Sequence, residues 1–208
     1  MRLHPALELI LTPAYHPCLE FSNYCKEMRW NPDAGHVPRG FLGACGELSE
    51  VELVFAEPGD PQVGEKHSGL QSAYDYAMLT FHAELDQFHR NVRKILDMCW
   101  PGMSFQEQMH KAWLTDSVLC SAPKECGPVS KSVSNACGRQ YLTAQLALFP
   151  NALIVALGTK AQNRLRSLGV PDFLSAYAVA PPGCNRHEAL ESWKKIPLEL
   201  HRRRKNVA

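Results

Sequence analysis

The sequence predicts an α/β fold with three layers, α/β/α, built on a central, mainly parallel four-stranded sheet. Strand-like and helix-like segments alternate along the chain after residue 40, and this order is typical of a parallel sheet with helices on its faces. The segment 152–157 (ALIVAL) is apolar throughout, as a strand covered on both faces should be. The four predicted strands are 51–56, 113–119, 152–157 and roughly 174–179.

Helical periodicity joins these strands. Seven apolar residues between 72 and 97 recur at steps of three and four, which predicts one long helix packed on the sheet. A second helix is predicted over 131–148, and a third begins after Gly158 and ends at Gly169. The apolar stripe of the first helix consists of Tyr74, Met78, Phe81, Leu85, Phe88, Val92 and Ile95.

The length of the chain indicates a single domain. Its 208 residues suffice for one sizeable core and are few for two ordinary domains. No internal repeat or long linker divides the sequence. We therefore predict one domain over 1–208, with a helical or loop extension at 1–40 and a basic tail at 201–208, and we expect a monomer.

The composition excludes a membrane-spanning protein. It is 45% hydrophobic and 21% charged, and no apolar run reaches the roughly 18 residues that a membrane span needs. The N-terminal residues lack the pattern of a secretory signal, so we expect a cytoplasmic protein with no membrane partner. The net charge of +1 gives no overall basic field. Basic residues nevertheless cluster in the tail and at Lys160, Arg164 and Arg166. Their side chains are either solvated or in contact with phosphates.

The cysteines do not form a recognisable metal motif. Eight are present, and none belongs to a C-x-x-C pair. In a chain without a secretory signal, cysteines are expected to be thiols or metal ligands rather than disulfides. Buried free thiols are the simpler interpretation, and we expect no metal and no cofactor.

The candidate site lies where the strands end. In open α/β sheets, ligands bind beyond the carboxyl ends of the strands. The stretch VELVFAEPGDP, 51–61, ends a strand on Glu57 directly before a Pro-Gly turn, and proline restricts the backbone on both sides of the bond. Glu57 either orients a water or stabilises a positive charge, or it caps the turn. Asp116 either faces Glu57 or, with Thr115, satisfies backbone amides.

Several common activities lack their sequence signatures. The chain contains no G-x-S-x-G, no G-x-G-x-x-G, no G-x-x-x-x-G-K-S/T and no H-E-x-x-H. The sequence therefore contains no motif that would indicate a serine hydrolase, a dinucleotide-binding enzyme, a nucleoside triphosphatase or a zinc protease.

The strand-end loops resemble those of the uracil-DNA glycosylase superfamily. LVFAEPGDP is similar to the family's first motif, an acidic or amide residue before proline, and WLTDSVLCSAP resembles its second strand. ACGRQYLTAQLALFPNALIVALGTKA is similar to a segment of the iron-sulfur-containing bacterial and archaeal branch, in which a helix near a cysteine leads into the third strand. The resemblance covers about 41–187.

The resemblance implies a role for each loop. Glu57 takes the place of the residue that activates water or stabilises the sugar cation, and Asp116 that of the Asn that reads the uracil edge. The loop APPGCNR, 180–186, replaces the one that contacts the base and enters the duplex. Tyr74 or Tyr76 is the stacking platform, unless both are helix core. The implied catalytic residues are Glu57 and Asp116; the implied base-binding residues are Ala56, Pro58, Gly59, Asp60, Tyr74, Tyr76, Asp116 and Asn185; the implied DNA-binding residues are Lys160, Arg164, Pro181, Pro182, Gly183, Arg186 and His187.

Two positions depart from the family pattern. An ionised Asp only accepts hydrogen bonds, so Asp116 suits uracil if it is protonated, helped by a water, or placed at N3–H alone. Because Asp replaces Asn here, the selectivity could also be altered or relaxed toward another deaminated base. Ala180 stands where the family has a His, which leaves Asn185, Arg186, His187 or backbone amides to stabilise the departing base.

The resemblance also leaves an alternative to the absence of a cofactor. Cys120 and Cys137 stand near two of the cluster ligands of the iron-sulfur branch. The close N-terminal pair of that branch is missing, and Cys18 and Cys25 are its possible substitutes. The alternative is a 4Fe-4S cluster held by Cys18, Cys25, Cys120 and Cys137.

The expected function is that of a monofunctional uracil-DNA glycosylase of base excision repair. It would act on uracil or a related deaminated base in single- or double-stranded DNA and leave an abasic site. One alternative is a damaged-DNA or abasic-site binding protein with weak or no catalysis. Another is a small-molecule enzyme on the same architecture, since a fold does not fix a function.

Overall fold

A five-stranded sheet forms the centre of the computed structural model, which describes residues 2–19, 22–45 and 49–207. The strand order is β1-β3-β2-β4-β5, and every neighbouring pair is parallel except β1 with β3. The prediction of a mainly parallel sheet is confirmed. The strands are β1 Leu42–Gly43, β2 Val51–Phe55, β3 Ala112–Asp116, β4 Leu153–Leu157 and β5 Leu174–Ala176.

The sheet has one strand more than predicted. The four predicted strands are present, with shorter ends, and β1 adds an antiparallel edge beside β3. A two-residue strand is too short to show an alternating pattern, which is why the sequence did not predict it. Gly43 has a φ of +97°, and a Cβ there would lie 2.1 Å from the carbonyl oxygen of Ala112. This close approach therefore requires glycine.

One predicted helix is divided in the structure. The segment 72–97 forms two helices, because the chain turns at Glu84, which has a φ of +51°, and Asp86 then caps the next helix by accepting from the His89 amide at 3.0 Å. The predicted helix over 131–148 is continuous through a π-helical turn, Gly138–Leu142. The α-helices are α1 Pro5–Leu11, α2 Leu70–His82, α3 Gln87–Cys99, α4 Phe105–Met109, α5 Lys131–Cys137, α6 Thr143–Leu148, α7 Thr159–Leu168 and α8 Ala189–Val207.

Helices cover both faces of the sheet. Phe55 of β2 packs on Phe88 of α3, with ring centroids 5.0 Å apart. Val54, its neighbour in the strand, packs with Leu146 of α6 and Leu165 of α7. Because successive side chains of a strand point to opposite faces, β2 lies between two helical layers. The three-layer α/β/α architecture is confirmed.

The predicted basic tail is part of a helix. Residues 201–207 continue α8, so the boundary predicted at 201 is wrong. Its arginines pair with carboxylates of the same chain: Arg202 with Glu199 at 2.6 Å, Arg203 with Asp172 at 2.5 Å, and Arg204 with Glu50 at 2.6 Å. Three cations of the predicted tail are therefore ion-paired within the chain.

One buried acid makes the stability of the fold depend on pH. Glu52 of β2 is fully buried, and neither of its carboxyl oxygens has a hydrogen-bond partner in the part of the chain that the structure describes. Burial raises its pKa from an ordinary 4.5 to about 8. Between these values the unfolded chain ionises while the folded protein keeps the proton. Folding stability therefore falls as the pH rises from about 4.5 to about 8.

Glutamine at this position removes that penalty. We expect the free energy of unfolding of Glu52→Gln, relative to the wild type, to rise by about 1.4 kcal/mol for each pH unit between 5 and 7.5. Urea unfolding at both pH values measures the difference. The control Glu188→Gln changes an exposed carboxylate and should show no such trend. A difference for Glu52→Gln that stays constant with pH would contradict the account.

Candidate functional site

The loops after β2 and β3 run side by side beyond the sheet. Phe55 and Asp116, the last residues of the two strands, are paired in register. The ladder continues past them: the Ser117 amide donates to the Phe55 carbonyl at 2.9 Å, and the Val118 amide donates to the Ala56 carbonyl at 3.1 Å. The two strand-end acids are thereby held at one edge of the sheet, as predicted.

Glu57 is bound by two cations of α7. Its side chain is 6% exposed; one carboxylate oxygen pairs with Lys160, and the other lies 2.5 Å from Arg164. Arg164 also donates to the Ala56 carbonyl at 2.6 Å and to the Ser117 hydroxyl at 3.1 Å. Glu57 therefore does not cap its own turn. Its negative charge is stabilised and its direction is fixed from a helix about one hundred residues away along the chain.

This pairing corrects one predicted role. Arg164 was expected to contact DNA, but it is 6% exposed and is engaged by Glu57 and Ala56. It is an internal partner of the acid rather than a surface contact. Lys160 remains partly exposed, and it also donates to the Gly127 carbonyl at 2.7 Å.

Asp116 is a buried acid of a different kind. It is 5% exposed, and burial raises its pKa to about 8; the charge of Glu57 adds to this shift, while Arg39 and Arg164 oppose it. Gly40 lies against the carboxyl group, because a Cβ there would be 3.3 Å from Oδ2. A pKa raised in this way favours the protonated carboxylic acid at neutral pH, and that form has one O–H donor and one carbonyl acceptor.

Arg39 fixes the turn that follows Glu57, and sequence reasoning missed it. It is 8% exposed, donates to the Gly59 carbonyl, and forms an ion pair with Glu65 in which Nε and Oε1 are 3.3 Å apart. Ser121 donates to the same Gly59 carbonyl at 3.0 Å. A single arginine in an irregular segment carries no periodic signal. Its only sequence cue is its position between Pro38 and Gly40.

The rest of the predicted turn is partly available to a ligand. Pro58 is buried, Gly59 and Asp60 are exposed, and the Ala56 carbonyl is occupied by Arg164 and by the loop after β3. Asp60 pairs with Arg29, which also donates to the Ala122 carbonyl at 2.6 Å. The exposed part of the turn is therefore held at Gly59 by Arg39 and Ser121, and at Asp60 by Arg29.

Only one of the two predicted stacking residues is accessible. Tyr74 is fully buried in the core, and its hydroxyl donates to the Gly43 carbonyl at 3.0 Å. The prediction that Tyr74 stacks on a base is therefore wrong. Tyr76 is partly exposed, and its ring lies 5.3 Å from the ring of His67, which pairs with Glu65.

The loop after β5 has an exposed tip on a fixed base. The Asn91 amide group donates to the Val179 carbonyl at 2.8 Å, and the Trp193 indole donates to the Tyr177 carbonyl at 2.9 Å. Gly183 begins a single 3-10 turn, and a Cβ there would lie 2.9 Å from the Ala178 side chain. The exposed residues of the tip are Pro181, Pro182, Asn185, Arg186 and His187. They have the accessibility that the predicted DNA contacts need.

The structure brings four cysteines to one small, apolar cavity. Cys18, Cys25, Cys120 and Cys137 all line it, and Cys18 is hydrogen-bonded to Cys25. Burial raises the pKa of the Cys137 thiol to about 11. No group of three or more His, Cys, Asp or Glu side chains in the described ranges suits a single metal ion. A 4Fe-4S cluster differs because each of its irons takes one thiolate, so its ligands stand further apart. Four thiols match the number of ligands that such a cluster takes, but Cys18 and Cys25 are in hydrogen-bond contact, so these two side chains would have to move apart to hold it.

The comparisons with family models and with curated proteins do not indicate a function. No protein-family model matches the chain, and no curated protein matches its sequence. No helix within the described residues combines the length and the apolar character that crossing a membrane requires.

Proposed function

We propose that the protein is a DNA glycosylase that hydrolyses the bond between deoxyribose and uracil, or a related deaminated base, and leaves an abasic site. The observation that carries the proposal is the pair of strand-end acids, with Glu57 held by two cations and Asp116 buried beside it. Two carboxyl groups in contrasting environments supply the separate tasks of charge stabilisation and base recognition. The exposed loop at 180–187 offers a contact to the DNA.

Glu57 acts on the sugar. The nucleotide must leave the base stack before its glycosidic bond is accessible. As the bond between C1' and the base nitrogen breaks, its electron pair stays with the base, and the sugar becomes cation-like. The fixed carboxylate of Glu57 stabilises that charge and orients a water, whose oxygen bonds to C1'. The water loses a proton as it bonds to C1', and the departing base takes up a proton. The Gly59 amide is the backbone donor of the turn that can stabilise the base, because the amides of Asp60 and of residues 184–186 donate within the protein.

Asp116 reads the base. In its neutral form, its carbonyl oxygen accepts from uracil N3–H while its O–H donates to O4. This is the donor and acceptor pattern that an Asn provides, and burial supplies it here by keeping the proton on the acid. The departure from the family pattern therefore preserves uracil recognition.

This role predicts a dependence on pH. Wild-type base release should fall as the pH rises through about 8, because ionised Asp116 loses its donor. Asp116→Asn should retain base release within about tenfold at pH 7 and lose the alkaline fall. Profiles of kcat/KM between pH 6 and 9.5 on a uracil oligonucleotide measure both. Identical profiles for the two proteins would contradict the role of Asp116.

The activity itself is tested with labelled oligonucleotides that carry one uracil, either single-stranded or paired with guanine or adenine. Alkaline cleavage after incubation reports abasic sites. Hypoxanthine and xanthine substrates extend the test to other deaminated bases. Cleavage of any of them supports the proposal, and intact DNA in every case counts against it.

A second function has its own supporting observation. Both carboxylate oxygens of Glu57 are ion-paired and Asp116 is almost fully covered, an arrangement that also suits a protein that binds damaged DNA without turnover. Retained affinity for uracil or abasic DNA, with no base released, would favour this alternative.

The four cysteines extend the proposal to a cofactor. From the sequence we expect no cofactor, with a cluster as the alternative, and the convergence of Cys18, Cys25, Cys120 and Cys137 supports that alternative. A bound 4Fe-4S cluster would act as a structural centre rather than in the hydrolysis. The four thiolates would tie the N-terminal segment to α5 and to the loop after β3, which also carries Ser121, a partner of the 58–60 turn.

A further inference from the structure

A groove of about 680 Å³ lies between α5 and α7. Ala161 and Leu165 lie on the face of α7 that packs in the core. The groove-lining residues of α7 recur on another face at steps of three and four, which places them along one line of the helix. They are Lys160, Asn163, Arg164 and Ser167, with Arg166 beside them. Arg164 is buried against Glu57, and the other four residues form a polar face at the surface of α7.

The opposite wall comes from α5 and the residues before it. Lys131 and Ser134 face the groove, together with Pro128 and Val129. The two walls are joined by a hydrogen bond from the Ser167 hydroxyl of α7 to the Asn135 side-chain oxygen of α5, 2.8 Å long. This hydrogen bond connects the two walls of the groove.

The groove concentrates positive charge. Its lining residues include four cations and no carboxylate within the described chain, in a protein whose net charge is +1. Glu57 offsets part of the charge of Lys160 and Arg164. Lys131 and Arg166 are exposed and form no ion pair with a described carboxylate. The Arg166 guanidinium donates to the Asn163 side chain at 3.1 Å. Two cations are thus available to an anionic partner.

We propose that this groove binds the sugar-phosphate backbone of a DNA strand, with phosphates at Lys131 and Arg166. Through Lys160 the groove continues to Glu57, so the strand would pass from the groove to the strand-end site. No aromatic side chain is found among its described lining residues, so it offers no surface for base stacking. Hydroxyl, amide and cationic groups instead suit phosphate oxygens, whatever the base sequence. The inference rests on the proposed function for the choice of DNA as partner.

The test uses DNA without uracil, so that it does not depend on catalysis. Binding of a fluorescent thymidine-only oligonucleotide is measured by anisotropy over a range of salt concentrations. The variant is K131Q/R166Q, which changes two exposed residues and leaves Glu57 and its partners in place. The matched control is K194Q/R202Q, which removes two cations of α8 that pair with neighbouring glutamates. Circular dichroism and thermal unfolding confirm that each variant is folded.

Each lost phosphate contact lowers the slope of log affinity against log salt by about 0.7 for a single strand, so we expect a drop of about 1.4 in K131Q/R166Q and none in the control. An unchanged slope, or an equal drop in the control, would overturn the groove proposal. So would equal binding of polyglutamate or of phosphatidylserine vesicles with the same dependence on these residues. Base release from uracil DNA is scored separately, so a failed groove and a failed glycosylase give different results.

Discussion

Glu57→Gln is expected to reduce base release by about a hundredfold or more, while affinity for uracil-containing DNA changes only a few-fold. Glutamine keeps the shape of the side chain and removes the charge that stabilises the sugar cation, an interaction made mainly in the transition state. Single-turnover rates on a uracil oligonucleotide, together with binding to the same DNA, separate the two effects.

The same substitution also removes the counter-charge of two cations. Arg164 is buried, so the variant should lose stability, because an unpaired buried charge is costly. Thermal unfolding therefore accompanies the kinetics, and rates are compared well below the unfolding transition. Glu191→Gln, which changes an exposed carboxylate paired with Lys194 on α8, serves as the control with wild-type activity. Undiminished base release by Glu57→Gln would move the catalytic role to Asp116.

Cys137→Ser is expected to abolish the iron content of the protein. Anaerobically purified wild type should contain about four irons per chain and show the visible absorbance of a cluster. Loss of one of four ligands should eliminate both and lower the unfolding temperature, because the cluster would join separate segments of the chain. Wild-type protein without iron would contradict the cofactor proposal.

The control for this experiment is Cys126→Ser. Cys126 is exposed and does not line the cavity formed with Cys18 and Cys25. Its substitution should leave iron content and unfolding temperature unchanged. Equal loss of iron in both variants would indicate adventitious binding to surface thiols rather than a built site.

Strands with strong local patterns could be predicted, and structures made by distant contacts could not. The 152–157 segment is apolar throughout, so its place between two helical layers follows from the sequence alone. The break at Glu84 interrupts an apolar stripe whose spacing continues across it, which is why two helices resembled one. The edge strand Leu42–Gly43 depends on its approach to Ala112, and no local pattern reports that approach.

The candidate site also has parts that the sequence could predict and parts that depend on distant contacts. The position of Glu57 could be predicted because it follows a recognisable strand, and parallel strands bring their ends together. Asp116 lies inside the predicted strand 113–119, and the structure ends that strand at Asp116. Their environments could not be predicted. The cations that hold Glu57 come from α7, and the arginine that holds its turn comes from a segment before β1. These pairings fix the direction of the Glu57 carboxylate, whereas burial raises the pKa of Asp116 against the opposing effect of Arg39 and Arg164.

Helical periodicity distinguishes the two tyrosines of α2. Tyr74 and Tyr76 are two residues apart, so they point to different sides of α2. Tyr74 belongs to the apolar stripe and is buried, whereas Tyr76 lies beside His67 and Glu65 and is partly exposed. Membership of the stripe was therefore evidence against a stacking role for Tyr74.

The most direct test of the central claim is to quantify free base and abasic sites in the same reaction. The protein is incubated with an oligonucleotide carrying one uracil; free uracil is measured by mass spectrometry, and abasic sites by alkaline cleavage. We expect equal amounts of the two products, formed repeatedly by each protein molecule and lost in Glu57→Gln. DNA that is bound by the protein but yields neither product would contradict hydrolysis and identify a binding protein instead.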